Sequence, residues 1–494
     1  MTTFFAPDLP TPKKPVRSGG TKAGPRPSQS AATKETDSEE KQPTIWEKIS
    51  PAQQEEIESL AAEYRNFLTE AKTERAVNKY VLDKAKDAGY DDMAKADRLT
   101  KGGYLTHHGK LVGLFEPGRD YTQGFNLLVT HGDSPRLDLK PRCLYQDGGL
   151  GLLKSNLYGG LKKYQWLARP LALWGFCVLK DGRKVEFRFG DEPGDPVLTV
   201  TDILPHLDSK VQRDKKLTDA FPAERLNVLA ASTPSGPERD KTRLKTTIRN
   251  ILWKRWGLKE DDLISSEIEL VPAGPAREVG LDGSLIGGYG QDDRLSVFLG
   301  LKALLAQRKP EKPLLMIVFD REEIGSFGST GAESNFVTRL ASGSLALAGH
   351  SGDWRQVTET LASSRAISAD VEAALDPTFK EVYDELNAAH LGLGPCLTRY
   401  TGGVAKYGAS EARAEYMARI RKIFDDSDIT WQNTLLGKQE YGGGGTVALC
   451  LAFHGLSVVD CGAPVLSMHS PFEITSKADI WMTMKAYQAF YQKA

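Results

Sequence analysis

The chain of 494 residues has only five cysteines, Cys143, Cys177, Cys396, Cys450 and Cys461, an odd number with no Cys-x-x-Cys pair among them. That excludes a disulfide framework of the secreted kind and a thiolate zinc knuckle. No stretch approaches the roughly 18 apolar residues that a membrane helix needs, and no basic segment followed by an apolar one opens the chain. Net charge is nearly absent: 64 Lys and Arg stand against 65 Asp and Glu, giving −1. Neither nucleic acid nor a membrane surface is therefore indicated by bulk electrostatics. No internal repeat is present, and the run Gly442-Gly-Gly-Gly445-Thr446 lacks the lysine and spacing of a phosphate loop. These absences lead to the expectation of a cytoplasmic protein whose partners are decided by local sites.

The length exceeds what one ordinary core organises, so two globular parts plus tails are expected. Residues 1–44 are rich in Pro, Lys, Ser, Thr, Gly and Glu and poor in large apolar side chains after Phe5; such a segment cannot offset its ordering entropy by burial and is expected to be disordered. Phe4 and Phe5 could serve docking or sorting, or belong to a featureless extension. From Ile45 to Gly89 apolar residues recur at helical spacing (Leu60, Tyr64, Phe67, Leu68; Tyr80, Val81, Ala85), which predicts one or two amphipathic helices.

Three short apolar, β-branched runs follow: Phe125–Thr130, Leu314–Phe319 and Leu456–Val459. They have the texture of strands in a sheet covered on both faces. Between Arg142 and about Arg277 the pattern changes to short alternating strands, such as Phe176–Leu179 and Val185–Phe189, separated by Asp-Gly and Gly-Asp turns, which predicts an inserted, mostly β domain. Its polar and basic stretch Pro234–Lys259 reads as a solvated loop and helix. Near the C-terminus, Ser476-x-x-Asp479 is a capping signal, followed by Ile480, Met484, Tyr487 and Tyr491 on one helical stripe.

Acids and imidazoles appear after these strands in a fixed order: His131-Gly-Asp133, Gln-Asp292-Asp293-Arg294, Asp320-Arg-Glu322-Glu323, Ser-Ala-Asp370 and Ser-Met-His469-Ser. Open α/β sheets place ligand sites at the carboxyl ends of strands, where separate loops converge. Together the motifs can supply two hard divalent ions with oxygen and imidazole ligands and leave one carboxylate free as a base. His131 could bind a metal while Asp133 holds its other ring nitrogen. A carboxylate at Asp292-Asp293 could bridge two ions, with Arg294 available to pair with a nearby acid. Of Glu322 and Glu323, one can ligate while the other takes a proton. Each motif alone is also what a hydrogen-bonded loop, a helix N-terminus or a turn carries; the joint order is what points to a two-metal hydrolase. The Gly442–Gly445 run, with Gly443 and Gly444 at its centre, would permit close backbone approach to a substrate or to another loop.

From about residue 50 to the C-terminus the chain resembles the aspartyl aminopeptidase and vacuolar aminopeptidase I family of cocatalytic zinc peptidases, in its bacterial form. The resemblance is carried by His131–Pro141, Tyr158-Gly-Gly160, Lys162-Lys-Tyr-Gln-Trp166, Gln291–Arg294, Glu322–Gly325, Ser368–Asp370 and Met468–Ser470. It implies an α/β fold, a central mixed sheet flanked by helices, with residues 45–141 and 279–494 forming the catalytic domain and 142–278 an inserted β-rich dimerisation domain. It further implies that His131 and Asp370 hold one metal, Glu323 and His469 the other, and Asp292 both, with Glu322 as general base and Asp133 orienting His131. Two Zn2+ per subunit are expected, Co2+ or Mn2+ being compatible with such ligands. Expected partners are peptides, cut at the N-terminal residue with a water held between the ions, and other copies of the chain, as dimers assembled into a dodecamer. Tyr164 would lie in a stretch reaching a neighbouring subunit's active site. The chain departs from many eukaryotic members at Tyr164, where they carry histidine, and at Asp376-Pro377, where histidines follow the Ser-Ala-Asp motif; an acidic-residue preference is not carried over. A related two-metal amidase or deacylase, or a non-catalytic oligomeric scaffold, are the competing readings.

Overall fold

The computed structural model describes residues 42–441 and 443–494, so nearly all of the 1–44 tail, including Phe4 and Phe5, and Gly442 lie outside the described residues. The predicted leading helices are two, Pro51–Glu70 and Glu74–Asp87. The first starts where sequence chemistry favours it. Ser50 accepts from the Gln53 N–H at 3.3 Å, the Gln53 side chain accepts from the Ser50 N–H at 2.9 Å, and Pro51 occupies the first helical position. Such a cap contributes about 1 kcal/mol. Ile57, Leu60, Tyr64 and Phe67 form its buried stripe.

A nine-stranded mixed sheet has four parallel strands at its centre, in the order Leu314–Phe319, Asn126–His131, Arg365–Ser368 and Ser457–Gly462. Alternate residues face opposite layers. Leu128, Met316, Val318, Ile367 and Val459 pack beneath helices Pro51–Glu70, Gln291–Leu305 and Lys477–Lys493, whereas Leu127, Val129, Leu315, Ile317 and Val458 pack against helices Phe336–Leu347 and Trp354–Ser363. Burial on both faces explains why these strands read as continuous apolar runs.

A second, seven-stranded sheet is antiparallel throughout and runs from Arg136 to Pro272, with its own core around Trp166, Leu173, Val228 and Leu270. The alternating segments expected there pair as the hairpin Leu171–Val178 and Lys184–Phe189. The polar stretch before Lys259 contains helix Arg243–Trp256. Residue 142 falls inside the strand Arg136–Asp147. All five cysteines are buried and free, and no helix among the described residues is long and apolar enough to cross a membrane.

One local expectation fails. Ser476 does precede helix Lys477–Lys493, but its side chain makes no capping bond. Asp479 is instead turned into the core, where its two oxygens accept the N–H groups of Gly392 and Gly394 at 2.7 Å each. A buried loop with unpaired donors competes successfully for the carboxylate.

Candidate metal centre

The parallel register brings the motifs together. Phe319 pairs with His131, and Ser368 pairs with Val129, so the chain leaves three adjacent strands on one edge of the sheet. His131 ends the middle strand, the Glu322–Ile324 turn follows a second, and Asp370 lies just beyond the third. Asp292 enters from the start of helix Gln291–Leu305, whose first turn has non-helical dihedrals at Asp292 and Asp293. His469 comes from the loop before strand Glu473–Ser476.

His131 Nε2 lies 3.3 Å from Asp292 Oδ1 and 3.8 Å from Asp370 Oδ1. His469 Nε2 lies 3.1 Å from the other oxygen, Asp292 Oδ2, and 3.5 Å from Glu323 Oε2. Two ligand groups result, His131–Asp292–Asp370 and Asp292–Glu323–His469, each with its donor atoms within 4.8 Å of one another and with Asp292 common to both.

The donor chemistry fits cations. His131 Nδ1 is 3.1 Å from the Asp133 carbonyl and His469 Nδ1 is 2.8 Å from the Gly160 carbonyl. A carbonyl only accepts, so each Nδ1 carries its hydrogen, and the neutral tautomer presents the Nε2 lone pair to the carboxylates. Glu323 Oε1 is buried with no hydrogen-bond donor. Without a cation the surplus of carboxylates must be met by protons. Burial opposes a charged His469, yet Asp292 and Glu323 hold its imidazolium up to about 11. His131 is likewise raised against burial by Asp133, Asp292 and Asp370. Burial, with help from the carboxylates of Asp370, Asp133 and Asp292 and against the pull of His131, pushes Glu322 up to about 8; a bound cation would draw it back down.

Asp133 does more than face His131. Its carboxylate is 3.5 Å from His131 Nδ1, whereas its carbonyl takes the 3.1 Å contact. The carboxylate also accepts the N–H groups of Glu322 and Glu323, both at 3.2 Å, and the Tyr158 hydroxyl at 2.9 Å. The turn it holds is sharp, entered through Arg321 at φ 70° and left through Gly325 at φ 96°. Arg294 departs from expectation: its buried guanidinium donates to the carbonyls of Gly290, Ala71 and Tyr289 rather than to an acid.

Glu473 was not singled out from the sequence. It is buried, accepts the His469 N–H at 2.7 Å and the Asp292 N–H at 3.1 Å, and also accepts from the Gln291 N–H. An acid opening the otherwise uncharged strand Glu-Ile-Thr-Ser, four residues after His469, is the signal that could have found it. None of the three substrate-binding candidates belongs to the ligand groups. Tyr164 sits on the turn Lys163–Trp166, 39% exposed, its ring 6.1 Å from that of Phe221. Gly444 accepts the Gly402 N–H at 2.6 Å, and a Cβ at Gly443 would meet the Gly402 carbonyl. Close backbone approach is realised there, to another loop.

Comparison with known proteins gives the family and the fold. A family model described as aminopeptidase I zinc metalloprotease (M18) matches residues 67–491. A Thermotoga maritima protein named probable M18 family aminopeptidase 1 is 43% identical over 442 residues, covering 89% of this chain and 97% of that protein. The crystal structure of a Thermotoga maritima M18-family aminopeptidase aligns with a TM-score of 0.87 at 41% identity, over 92% of this chain and 99% of that one. Aminopeptidase I from Clostridium acetobutylicum aligns at 0.84 and 37% identity, over 91% and 98%. The fold is shared more distantly with a Saccharomyces cerevisiae structure described as the mApe1 dodecamer, at a TM-score of 0.70 and 18% identity over 87% and 96%.

Proposed function

The chain belongs to the aminopeptidase I zinc metalloprotease (M18) family and is a metallo-aminopeptidase; from that premise we propose that it cleaves peptides at the N-terminal residue with Glu322 as the general base. His131 and Asp370 would hold one divalent ion, Glu323 and His469 a second, and Asp292 would contribute an oxygen to each. Zinc is the metal of the family's description, and two imidazoles with several carboxylates would also accept Co2+ or Mn2+. Ions bound there supply positive charge that polarises a scissile carbonyl and acidifies water.

The chain's own groups do the rest. Glu322 takes a proton from the attacking water and returns it to the leaving amine. Asp133 fixes the Glu322–Glu323 turn through two backbone N–H groups, so that one carboxylate ligates and its neighbour stays free. A free substrate amine is attracted by the carboxylates of the cluster, which an acylated terminus is not. The observation that carries the reading is the position of Asp292 with one oxygen toward each imidazole, 3.3 and 3.1 Å away.

Residues 142–278 would serve as the dimerisation domain, and dimers would assemble into a dodecamer in the cytoplasm, with Tyr164 and the Gly443-Gly444 backbone lining the path of the peptide. Zinc-loaded protein is tested on matched peptides with free and N-acetylated termini. Release of free amino acid from the first and none from the second is expected; equal cleavage of both would remove the exopeptidase reading.

A further inference from the structure

The motif Tyr158-Gly-Gly160 begins at the end of strand Leu150–Tyr158, in the antiparallel sheet, and its first and last residues bond to Asp133 and to His469. Tyr158 pairs with Arg136 across the ladder, and the Arg136 guanidinium covers its ring at 3.8 Å. Arg136 is itself fixed by Asp138 at 2.9 Å, Glu269 at 3.0 Å and Glu74 at 3.4 Å. The ring therefore has little freedom, and its hydroxyl donates to Asp133 Oδ2 at 2.9 Å. The other oxygen of the same carboxylate, Oδ1, accepts from Glu322, and Oδ2 also accepts from Glu323.

Gly159 has φ +73°, and a Cβ there would lie 3.3 Å from Glu323 Cβ and from Pro135. The left-handed backbone favours glycine at this point, and an added Cβ would fit only tightly. One residue on, the Gly160 carbonyl takes the Nδ1–H of His469 at 2.8 Å. Within three residues, then, the chain grips Asp133 on the His131 side and His469 on the other.

We propose that Tyr158–Gly160 is a positioning strap, by which the antiparallel sheet sets the tautomer of His469 and the orientation of the Glu322–Glu323 turn. The strap rests on the reading of the His131–His469 cluster as the metal centre. It makes the second sheet a structural part of that centre. Outer partners of metal ligands hold ring orientation and raise ligand basicity in this way.

The test uses full-length Tyr158→Phe and Gly159→Ala beside the wild type. For each, kcat and KM on an unblocked peptide, Zn2+ affinity by competition with a chromophoric chelator, and the melting temperature without metal are measured. Tyr158→Phe keeps the ring under Arg136 and removes one hydrogen bond; kcat is expected to fall ~10–100-fold with KM little changed. Gly159→Ala is expected to weaken one of the zinc equivalents, the one held by Glu323 and His469, by ~10–100-fold. Wild-type kcat together with wild-type zinc affinities in both variants would overturn the strap, as would a Tyr158→Phe protein that loses only melting temperature. Should Gly159→Ala fail to fold, Tyr158→Phe decides alone. Should the wild type release no amino acid, the functional reading fails, while the chelator competition still reports on the strap.

Discussion

The backbone N–H of Glu322 is held at 3.2 Å by the carboxylate of Asp133, a residue nearly two hundred positions earlier in the chain. The same carboxylate holds the N–H of Glu323 at 3.2 Å. One acid thereby fixes the turn on which the proposed base and a proposed ligand diverge.

Asp133→Asn replaces one acceptor oxygen by an amide nitrogen that faces N–H donors. The turn should loosen, with kcat down ~10–100-fold and KM changed far less. Steady-state kinetics on an unblocked peptide check this; a purely KM effect would place Asp133 in substrate binding.

Glu473 secures the backbone N–H groups of Gln291, Asp292 and His469 from the interior. Glu473→Ala leaves buried donors unpaired, at about 1–3 kcal/mol each. Chemical denaturation of metal-free protein should show a loss of at least ~2 kcal/mol, accompanied by weaker zinc binding. Unchanged stability would mean that other acceptors reach these groups.

Metal and protons compete at the cluster. In metal-free protein the carboxylates of Asp292 and Glu323 keep His469 charged up to about 11, and burial keeps Glu322 protonated up to about 8. Both values are raised above the unfolded ones, so the stabilisation they contribute is full below those unfolded values and declines as pH rises through the folded ones. Metal-free protein should therefore lose stability from about pH 5 to 8 through Glu322 and on to about 11 through His469. Zinc uptake at neutral pH should release protons, and its affinity should fall as the solution is acidified. Calorimetry of zinc binding in two buffers of different ionisation enthalpy measures the release; identical heats in both would contradict it.

Oligomeric state has a simple readout. Light scattering should give twelve times the 54.2 kDa of the chain, and a monomer mass would remove the dodecamer.

Much of this architecture is legible in the sequence because its signals are periodic or local. The parallel strands are buried on both faces, so Leu314–Phe319 and Phe125–Thr130 announce themselves as mostly apolar runs, and strand ends then mark where His131, Glu322, Glu323 and Asp370 must gather. The contacts that organise those side chains are backbone-directed, and composition carries no trace of them. Asp133 brings its carbonyl closer to His131 than its carboxylate, which also holds the Glu322–Glu323 turn; Arg294 satisfies three carbonyls; Asp479 accepts from the N–H groups of Gly392 and Gly394. In each case a buried unpaired donor or acceptor on a distant segment decides the geometry. The Gly160 carbonyl is invisible for the same reason, whereas Glu473 leaves one trace, a lone acid at the start of an otherwise uncharged strand.

The central claim, that Glu322 is the base of a metal centre assembled by its neighbours, is tested most directly by Glu322→Gln. The amide preserves shape and leaves the ligand set intact but cannot accept a proton. The zinc content should equal that of the wild type while kcat for release of an N-terminal residue falls ~10²–10⁴-fold. Retention of wild-type kcat with full zinc content would contradict the account.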